Sequence, residues 1–471
     1  MHLMLPQDFV PCLVKIGDQR KMNTKNFYLF FSILILLVGF SVSDGADDQI
    51  LSIKEQLGKS IFFDKQLSLK RNQSCASCHD PATGWTGPDS AVNAREAVYQ
   101  GSVTGRSGNR KPPSAAYAAT HPKLHLFLDE EEGEQLFVGG NFWDGRATGE
   151  KLGNPAADQA QAPIVNPVEQ ALPDMLCVVY RVCNPTTPYP VSFEEVWGSD
   201  ACEISWPENF DKMCAQDEGL TALPDKEMAK ANKIFDQIAL SIAAFEASAE
   251  VNLFSSKFDN YMKGLVTLTA IEQTGLDLFK NKGKCADCHV LDPGPGNTPP
   301  LFTDFTYDNL GIPKNLENPF YPMPSDDNPQ GHRWVDNGLG GFLQTRHDLR
   351  EHWLDNIGKH KVPTLRNIDK RPHPDFVKAY GHNGYFKDLK QIIHFYNTRD
   401  ILGVCWGTDG EIEGETCWPP PEITLNVNSD ELGDLKLTDS EEDAIVAFLK
   451  TLTDDQVHSA AAKGDEKAPG K

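Results

Sequence analysis

Two five-residue segments each place two thiols beside an imidazole. They are Cys75-Ala76-Ser77-Cys78-His79 and Cys285-Ala286-Asp287-Cys288-His289. CxxCH is the attachment pattern of c-type haem, in which both thiols bind the haem vinyl groups and the histidine binds the iron. The alternatives are a zinc ribbon and a thioredoxin-like redox site. A zinc ribbon needs two CxxC pairs close together. The two segments lie far apart, so we predict two covalently bound haem c groups, with His79 and His289 as proximal iron ligands.

A helix is predicted to lead into each motif. The ranges 57–64 and 269–279 both place Leu, Ile and Phe on one face. Thr269 with Glu272 has the capping-box pattern, and Thr438 with Glu441 has it at the start of a last helix.

Two further ranges shape the predicted fold. Residues 225–263 are predicted to be strongly helical, and the Pro-, Gly- and Asn-rich range 292–337 is predicted to be mostly loop. The expected fold is mainly α, with two tandem cytochrome-c-like domains, long loops and few short strands. We place the N-terminal haem c domain at 48–265 and the C-terminal haem c domain at 266–455.

Both ends of the chain are expected to lie outside these domains. Lys21 and Lys25 precede an apolar run at 27–42, and small residues stand at Ser41 and Ser43, which predicts a signal peptide over 1–43. The run is short for a membrane span, although an uncleaved anchor is the alternative. We therefore expect a periplasmic protein with no membrane span in its mature form. The composition of residues 456–471 predicts a disordered tail.

The net charge of −23 excludes nucleic acid as a partner, because phosphate binding needs the opposite sign. It is compatible with a basic protein partner, and equally with a surface that is acidic for solubility.

Six cysteines remain outside the haem motifs and the signal peptide. They are Cys177, Cys183, Cys202, Cys214, Cys405 and Cys417. An even number in an exported chain predicts disulfides, and the sequence does not choose among the connectivities, although a local pair such as Cys405–Cys417 is the simplest. Free buried thiols are the alternative, and no remaining CxxC pair or histidine spacing favours zinc.

Several stretches together resemble the bacterial di-haem cytochrome c peroxidase family and, within it, the MauG-like branch. The resemblance extends over most of the mature chain. The matching stretches are 57–64 with 75–81, 142–146, 159–169, 302–304, 361–367 and 382–384.

The resemblance implies a role for each matched polar residue. His79 belongs to the haem that reacts with peroxide, and Gln159 and Glu169 match the polar residues of its distal pocket. A carboxylate there can move a proton between the two peroxide oxygens, which agrees with the chemistry of O–O cleavage. Trp143 matches a tryptophan between the two haems, where it relays an electron.

Two departures favour the MauG-like branch. Classical members carry a distal histidine soon after the first motif, whereas residues 80–120 contain no His or Met. The first iron is therefore expected to have an open face, with His121 and His125 as the nearest rival ligands. At the second haem, the methionine ligand of the peroxidases is replaced by Tyr396, as in MauG-like proteins. Such a change of axial ligand alters the haem potential.

The fallback ligands for the second iron are His382, His394 and Met323. The resemblance also implies a calcium ion between the domains. Alignment places its carbonyl ligands at Val377 and Ala379, and its asparagine at Asn109 or at Lys111. The surface tryptophan that precedes the second motif in MauG is Gly283 here, so an exit path for radicals must differ.

The expected function is that of a di-haem oxidoreductase that uses hydrogen peroxide to oxidise a protein partner at a distance. The first alternative is a peroxidase that reduces hydrogen peroxide with electrons from a small cytochrome c or copper protein. The second is an electron carrier with two six-coordinate irons and no catalysis.

Overall fold

Helices provide most of the regular structure in the computed structural model, which describes residues 50–128, 133–216 and 223–454. The helices are α1 (Ile53–Phe63), α2 (Ser90–Ala94), α3 (Pro155–Val165), α4 (Met175–Cys183), α5 (Tyr189–Trp197), α6 (Phe210–Met213), α7 (Asp225–Glu246), α8 (Lys257–Met262), α9 (Ala270–Lys280), α10 (Cys285–Cys288), α11 (Gly338–Thr345), α12 (Leu389–Thr398) and α13 (Asp439–Lys450). Among the described helices, none combines the length and apolarity needed to cross a membrane. The predicted signal peptide (1–43) and tail (456–471) lie outside the described residues.

The strands of the described residues are short and form two-stranded sheets only. They are β1 (His125–Leu128) with β2 (Gln135–Val138), antiparallel; β3 (Tyr307–Asp308) with β4 (His360–Lys361), antiparallel; and β5 (Gly403–Val404) with β6 (Cys417–Trp418), parallel. In the first sheet His125 pairs with Val138 and Leu128 with Gln135. The predicted mainly α fold with few short strands is confirmed. The range 292–337 contains only β3 and short 3-10 turns, as its composition predicts.

Each haem motif is preceded by a helix that crosses a later helix at a glycine. A Cβ added to Gly58 of α1 would press into the carbonyl oxygen of Ser241 on α7. A Cβ added to Gly275 of α9 would press in the same way into the carbonyl oxygen of Ala444 on α13, with Phe448 four residues further on. The same close helix crossing therefore occurs twice, once beside each CxxCH motif.

The helix starts follow their capping residues. Both predicted capping boxes form, Thr269 with Glu272 at α9 and Thr438 with Glu441 at α13. A third, Ser52 with Glu55 at α1, was not predicted. Such boxes satisfy backbone N–H groups that have no partner inside the helix.

The range 225–263 is mostly helical, as predicted, but it forms two helices, because α7 ends at Glu246 and α8 begins at Lys257. The Asn252 side chain donates to the carbonyl of Glu246 at 2.7 Å and to that of Ser248 at 3.0 Å. These bonds satisfy carbonyls at the end of α7 and favour a turn over a further helical residue.

Two main hydrophobic clusters lie in the described structure. The first packs α1, α4, α5 and α7 together, and the second packs α9, α12 and α13. Phe258 belongs to the second cluster and Leu301 to the first, so each cluster contains a residue from the other side of the predicted domain boundary. The described residues form one compact unit, and the division into 48–265 and 266–455 stays a prediction.

Three disulfides join the six described cysteines that lie outside the haem motifs. They are Cys177–Cys214, Cys183–Cys202 and Cys405–Cys417. The local pair that the sequence favoured is confirmed, and the first two tie α4 to the segments around α5 and α6.

Candidate active site

One continuous cavity is lined by both CxxCH motifs. Cys75, Cys78 and His79 reach it from one side, and Cys285, Cys288 and His289 from another. The four cysteines are partly buried and none is in a disulfide. Much of the remaining wall is apolar, with Ile242, Ile445 and Leu449 among the lining residues.

This donor set fits the group that the motifs imply. Two thiols and one imidazole at each end of a large apolar cavity are what a covalently held haem requires. The residues present therefore fit two haems.

Each motif histidine is oriented by a backbone carbonyl. The Nδ1–H of His79 donates to the carbonyl of Trp85 at 3.1 Å, and that of His289 donates to the carbonyl of Phe302 at 2.8 Å. Burial lowers the pKa of both imidazoles, that of His289 to about 4. Each ring is therefore neutral with its Nε2 lone pair free, which is the state that binds a metal.

The two acceptor residues share an unusual backbone conformation. Trp85 has φ +62° and Phe302 has φ +55°, although both are bulky and buried. Residues of this type rarely adopt the left-handed region, and strain of this kind persists where the surrounding packing imposes it. Sequence reasoning missed both residues, because nothing in their type indicates this conformation.

The predicted distal residues lie in the same cavity wall. Gln159 stands on α3, which begins at the capping residue Asn154, and Glu169 follows four residues after α3 ends. The Asn166 amide donates to Glu169 Oε1 at 2.9 Å and fixes the carboxyl group. Burial raises the pKa of Glu169, and the charge of Arg146 together with the Asn166 hydrogen bond opposes part of that rise. A carboxyl group that is easier to protonate than usual is suited to moving a proton.

Trp143 is held rigidly in the wall of the same cavity. Its indole N–H donates to the carbonyl of Lys111 at 2.8 Å, and its own carbonyl accepts from the backbone N–H of Lys361 at 2.9 Å. The next residue, Asp144, accepts from Arg110 at 2.6 Å. One bond therefore fixes the indole and the other fixes the backbone of Trp143, in a cavity that both motifs line.

The two rival ligands of the first iron are not available to it. His125 is exposed on β1 and does not line the cavity. His121 does line it, but its Nε2 atom is buried, without a hydrogen-bond partner among the described residues, and its Nδ1–H donates to Asn141 Oδ1. Burial lowers the pKa of His121 to about 3, so it is neutral.

Tyr396 reaches the cavity from α12. Among the described residues its hydroxyl has no hydrogen-bond partner, whereas its backbone carbonyl accepts from Gly433 at 2.6 Å. Burial raises its pKa, and the neighbouring Cys285 and Cys288 add to that rise. The phenol therefore lies beside the second CxxCH motif with its oxygen uncommitted.

The fallback ligands of the second iron are committed elsewhere. Both ring nitrogens of His394 are hydrogen bonded, Nδ1 to Glu442 and Nε2 to the carbonyl of Gly414, each at 2.8 Å. Met323 Sδ accepts from the N–H of Ser107 and lies outside the cavity wall.

His382 is held in a stack. Its ring lies 3.6 Å from that of His360, and its Nε2 faces Glu422 at 3.7 Å. That nitrogen is buried and has no hydrogen-bond partner among the described residues.

The residues at the expected calcium position do not fit a divalent ion. The carbonyl of Val377 accepts from Asn93 Nδ2 at 3.1 Å, and the carbonyl of Asn109 accepts from Asn318 Nδ2 at 2.9 Å. Ala379 is buried beside them in the cavity wall. Calcium takes six to eight oxygen ligands, and here the backbone carbonyls of Val377 and Asn109 already accept from amide groups.

The fold and the site together define a di-haem oxidoreductase. The chain belongs to the di-haem cytochrome c peroxidase family, whose profile matches residues 52–267. It is 33% identical over 412 residues to the methylamine utilization protein MauG of Paracoccus denitrificans (strain Pd 1222), covering 87% of this chain and 89% of the relative.

Two further relatives have peroxidase names. Cytochrome-c peroxidase IdrP1 of Denitromonas iodatirespirans is 25% identical over 438 residues, which are 90% of this chain and 87% of the relative. Among solved structures, the diheme peroxidase BthA from Burkholderia thailandensis E264 superposes with a TM-score of 0.61 and 26% identity, covering 85% of this chain and 86% of that one. Both MauG and peroxidase names thus occur among the relatives.

Proposed function

We propose that this protein uses hydrogen peroxide to oxidise a protein partner, in the manner of the MauG-like branch. Both haems would be held covalently, one through Cys75 and Cys78 and the other through Cys285 and Cys288. When bound, their irons would supply the redox chemistry and hold the oxidising equivalents between peroxide and partner. The observation that carries the proposal is the uncommitted Tyr396 hydroxyl beside the second motif.

Glu169 and Gln159 would carry the proton chemistry at the open face of the His79 site. Hydrogen peroxide takes up two electrons and two protons and leaves as two waters, so a proton must reach the leaving oxygen. The Glu169 carboxylate would accept a proton from one peroxide oxygen and return it to the other. The Gln159 amide can donate a hydrogen bond that orients the peroxide.

Tyr396 would distinguish the second site from the first. A phenolate is a hard, anionic ligand that favours oxidised iron, whereas a thioether favours the reduced form. Trp143, fixed between Lys111 and Lys361, would provide the aromatic contact between the two sites.

The protein partner would lose the two electrons that peroxide gains. The net charge of −23 favours a partner with a basic face, because complementary charge steers encounter. A periplasmic location follows from the predicted signal peptide and agrees with the three disulfides, which persist in oxidising compartments.

Replacing Tyr396 by Phe tests the proposal. The low-spin ferric EPR signal of the second haem should shift or be lost, because the variant removes only the oxygen. Tyr261→Phe is the matched control, since Tyr261 packs in the same hydrophobic cluster but does not line the cavity. An unchanged low-spin signal in Tyr396→Phe would remove the tyrosine as ligand and, with it, the MauG-like proposal.

The similarity to a cytochrome-c peroxidase favours a second candidate, a peroxidase supplied by a small redox protein. Turnover separates the two. Sustained consumption of peroxide with reduced cytochrome c as the sole donor would support the peroxidase. Slow turnover, with the oxidised protein persisting after one equivalent of peroxide, would support oxidation of a dedicated partner.

A further inference from the structure

A buried ammonium group occupies the region where the family resemblance places calcium. Lys378 stands between Val377 and Ala379, and only 4% of it is exposed. Its Nζ donates to the carbonyls of Thr83 at 2.9 Å, Asn367 at 3.1 Å and Lys370 at 3.1 Å. An ammonium has three donors and no acceptor, so three carbonyl oxygens form a complete set of partners for it.

A second lysine side chain lies in this region. Lys111, one of the two positions that align with the family's asparagine, sends its Nζ to Thr86 Oγ1 at 3.2 Å and to the carbonyl of Pro112 at 3.1 Å. Burial lowers the pKa of Lys378, the nearby Lys111 adds to that fall, and Asp369 opposes it. A divalent cation placed here would compete with Lys378 Nζ for the carbonyls that the lysine already binds and would lie close to two lysine side chains.

The carbonyls that accept from Lys378 belong to parts of the chain that are distant in sequence and lie close together in the structure. Thr83 lies four residues after His79, whereas Asn367 ends the 361–367 stretch and Lys370 follows it. Next to Thr83, a Cβ added to Gly84 would lie 2.9 Å from the Asn367 backbone oxygen. The Asn367 side chain in turn donates to Asp454 at 2.9 Å, near the end of the described chain.

We infer that the Lys378 ammonium is a covalently tethered substitute for an interdomain calcium ion, so that this protein is independent of calcium. Its N–H groups bind backbone carbonyls of the His79 side and of the C-terminal side at once. Because these donors belong to the chain, a chelator cannot remove them.

Calcium analysis of the purified holoprotein tests this inference directly. After dialysis against EGTA and then buffer, elemental analysis should find well under one calcium per chain. The melting temperature and the ferric EPR spectrum should be the same in EGTA and in excess calcium chloride. One tightly held calcium per chain, or a spectrum or melting temperature that EGTA changes and calcium restores, would overturn the inference.

The variant Lys378→Met tests the role of the ammonium itself. It keeps the length of the side chain but leaves three buried carbonyls without their donor, which is destabilising. We expect its melting temperature to fall by at least about 5 °C, because losing several buried hydrogen bonds moves a protein of this size by several degrees. Lys226→Met is the control, since Lys226 is exposed on α7. Equal melting of the two variants would contradict the inference, and if Lys378→Met does not fold, the calcium analysis of the unmodified protein still decides it.

Discussion

Replacing Glu169 by Gln isolates the proton transfer in the proposed reaction with peroxide. Glutamine has the same shape and can still accept the hydrogen bond that Asn166 donates at 2.9 Å, so the pocket should be unchanged. General acid–base catalysis contributes about 10²–10⁴-fold to a rate. Because Gln159 still lines the pocket, we expect the lower part of that range, about 10²–10³-fold. This corresponds to about 3–4 kcal/mol of activation free energy.

The pH dependence gives the sign of the effect. Burial raises the pKa of Glu169, and Arg146 and Asn166 offset part of that rise. The carboxylate is the form that accepts a proton, so the rate in the unmodified protein should rise as pH rises through this pKa and then level off. Glu169→Gln should be slow and flat over the same range.

Stopped-flow absorbance of the haem band after mixing with peroxide measures this rate. Glu150→Gln is the control, because Glu150 pairs with Arg346 at 3.0 Å and lies outside the haem cavity. A Glu169→Gln rate within about threefold of the unmodified protein would be far below the expected contribution and would refute the role of Glu169.

Two further predictions concern stability. Gly275→Ala should lower the free energy of unfolding by about 2 kcal/mol. Pressing a methyl group into the Ala444 backbone costs up to about 3 kcal/mol, and the higher helix propensity of alanine returns about 1 kcal/mol. Equal or higher stability in thermal unfolding would contradict the close helix crossing. Asp259→Asn should lower it by about 3–5 kcal/mol, because Arg366 would lose its buried partner at 2.8 Å. Burial alone would raise the pKa of Asp259, but the contacts with Arg366 outweigh burial and lower that pKa. The stabilisation by the ion pair is therefore present at neutral pH and is lost as pH falls through the lowered pKa. The free energy of unfolding, measured with urea over a range of pH, checks this prediction, and Asp277→Asn at an exposed position is the control variant.

Features that depend on local spacing were predictable from the sequence. The CxxCH motifs, the capping boxes at Thr269 and Thr438 and the loop-rich range 292–337 each follow from residues that are neighbours in the chain. The same holds for Cys405–Cys417, which closes a short loop. The resemblance to the family placed Gln159, Glu169 and Trp143, and all three line the cavity.

Features that depend on packing between distant segments were not predictable in this way. The carbonyls of Trp85 and Phe302 orient the motif histidines only because tertiary contacts hold two aromatic residues at positive φ. The role of Lys378 depends on Thr83, nearly 300 positions earlier. The break after α7 depends on the Asn252 side chain, whose bonds to the end of the helix compete with helical continuation.

The central claim is that the two haem sites are unequal, with an open face at the His79 site and Tyr396 closing the His289 site. EPR of the resting ferric holoprotein tests it most directly. We predict one high-spin and one low-spin haem in equal amounts, the low-spin one altered by Tyr396→Phe. Two low-spin signals would show that the first site is closed, as in an electron carrier, and would contradict the proposed reaction with peroxide.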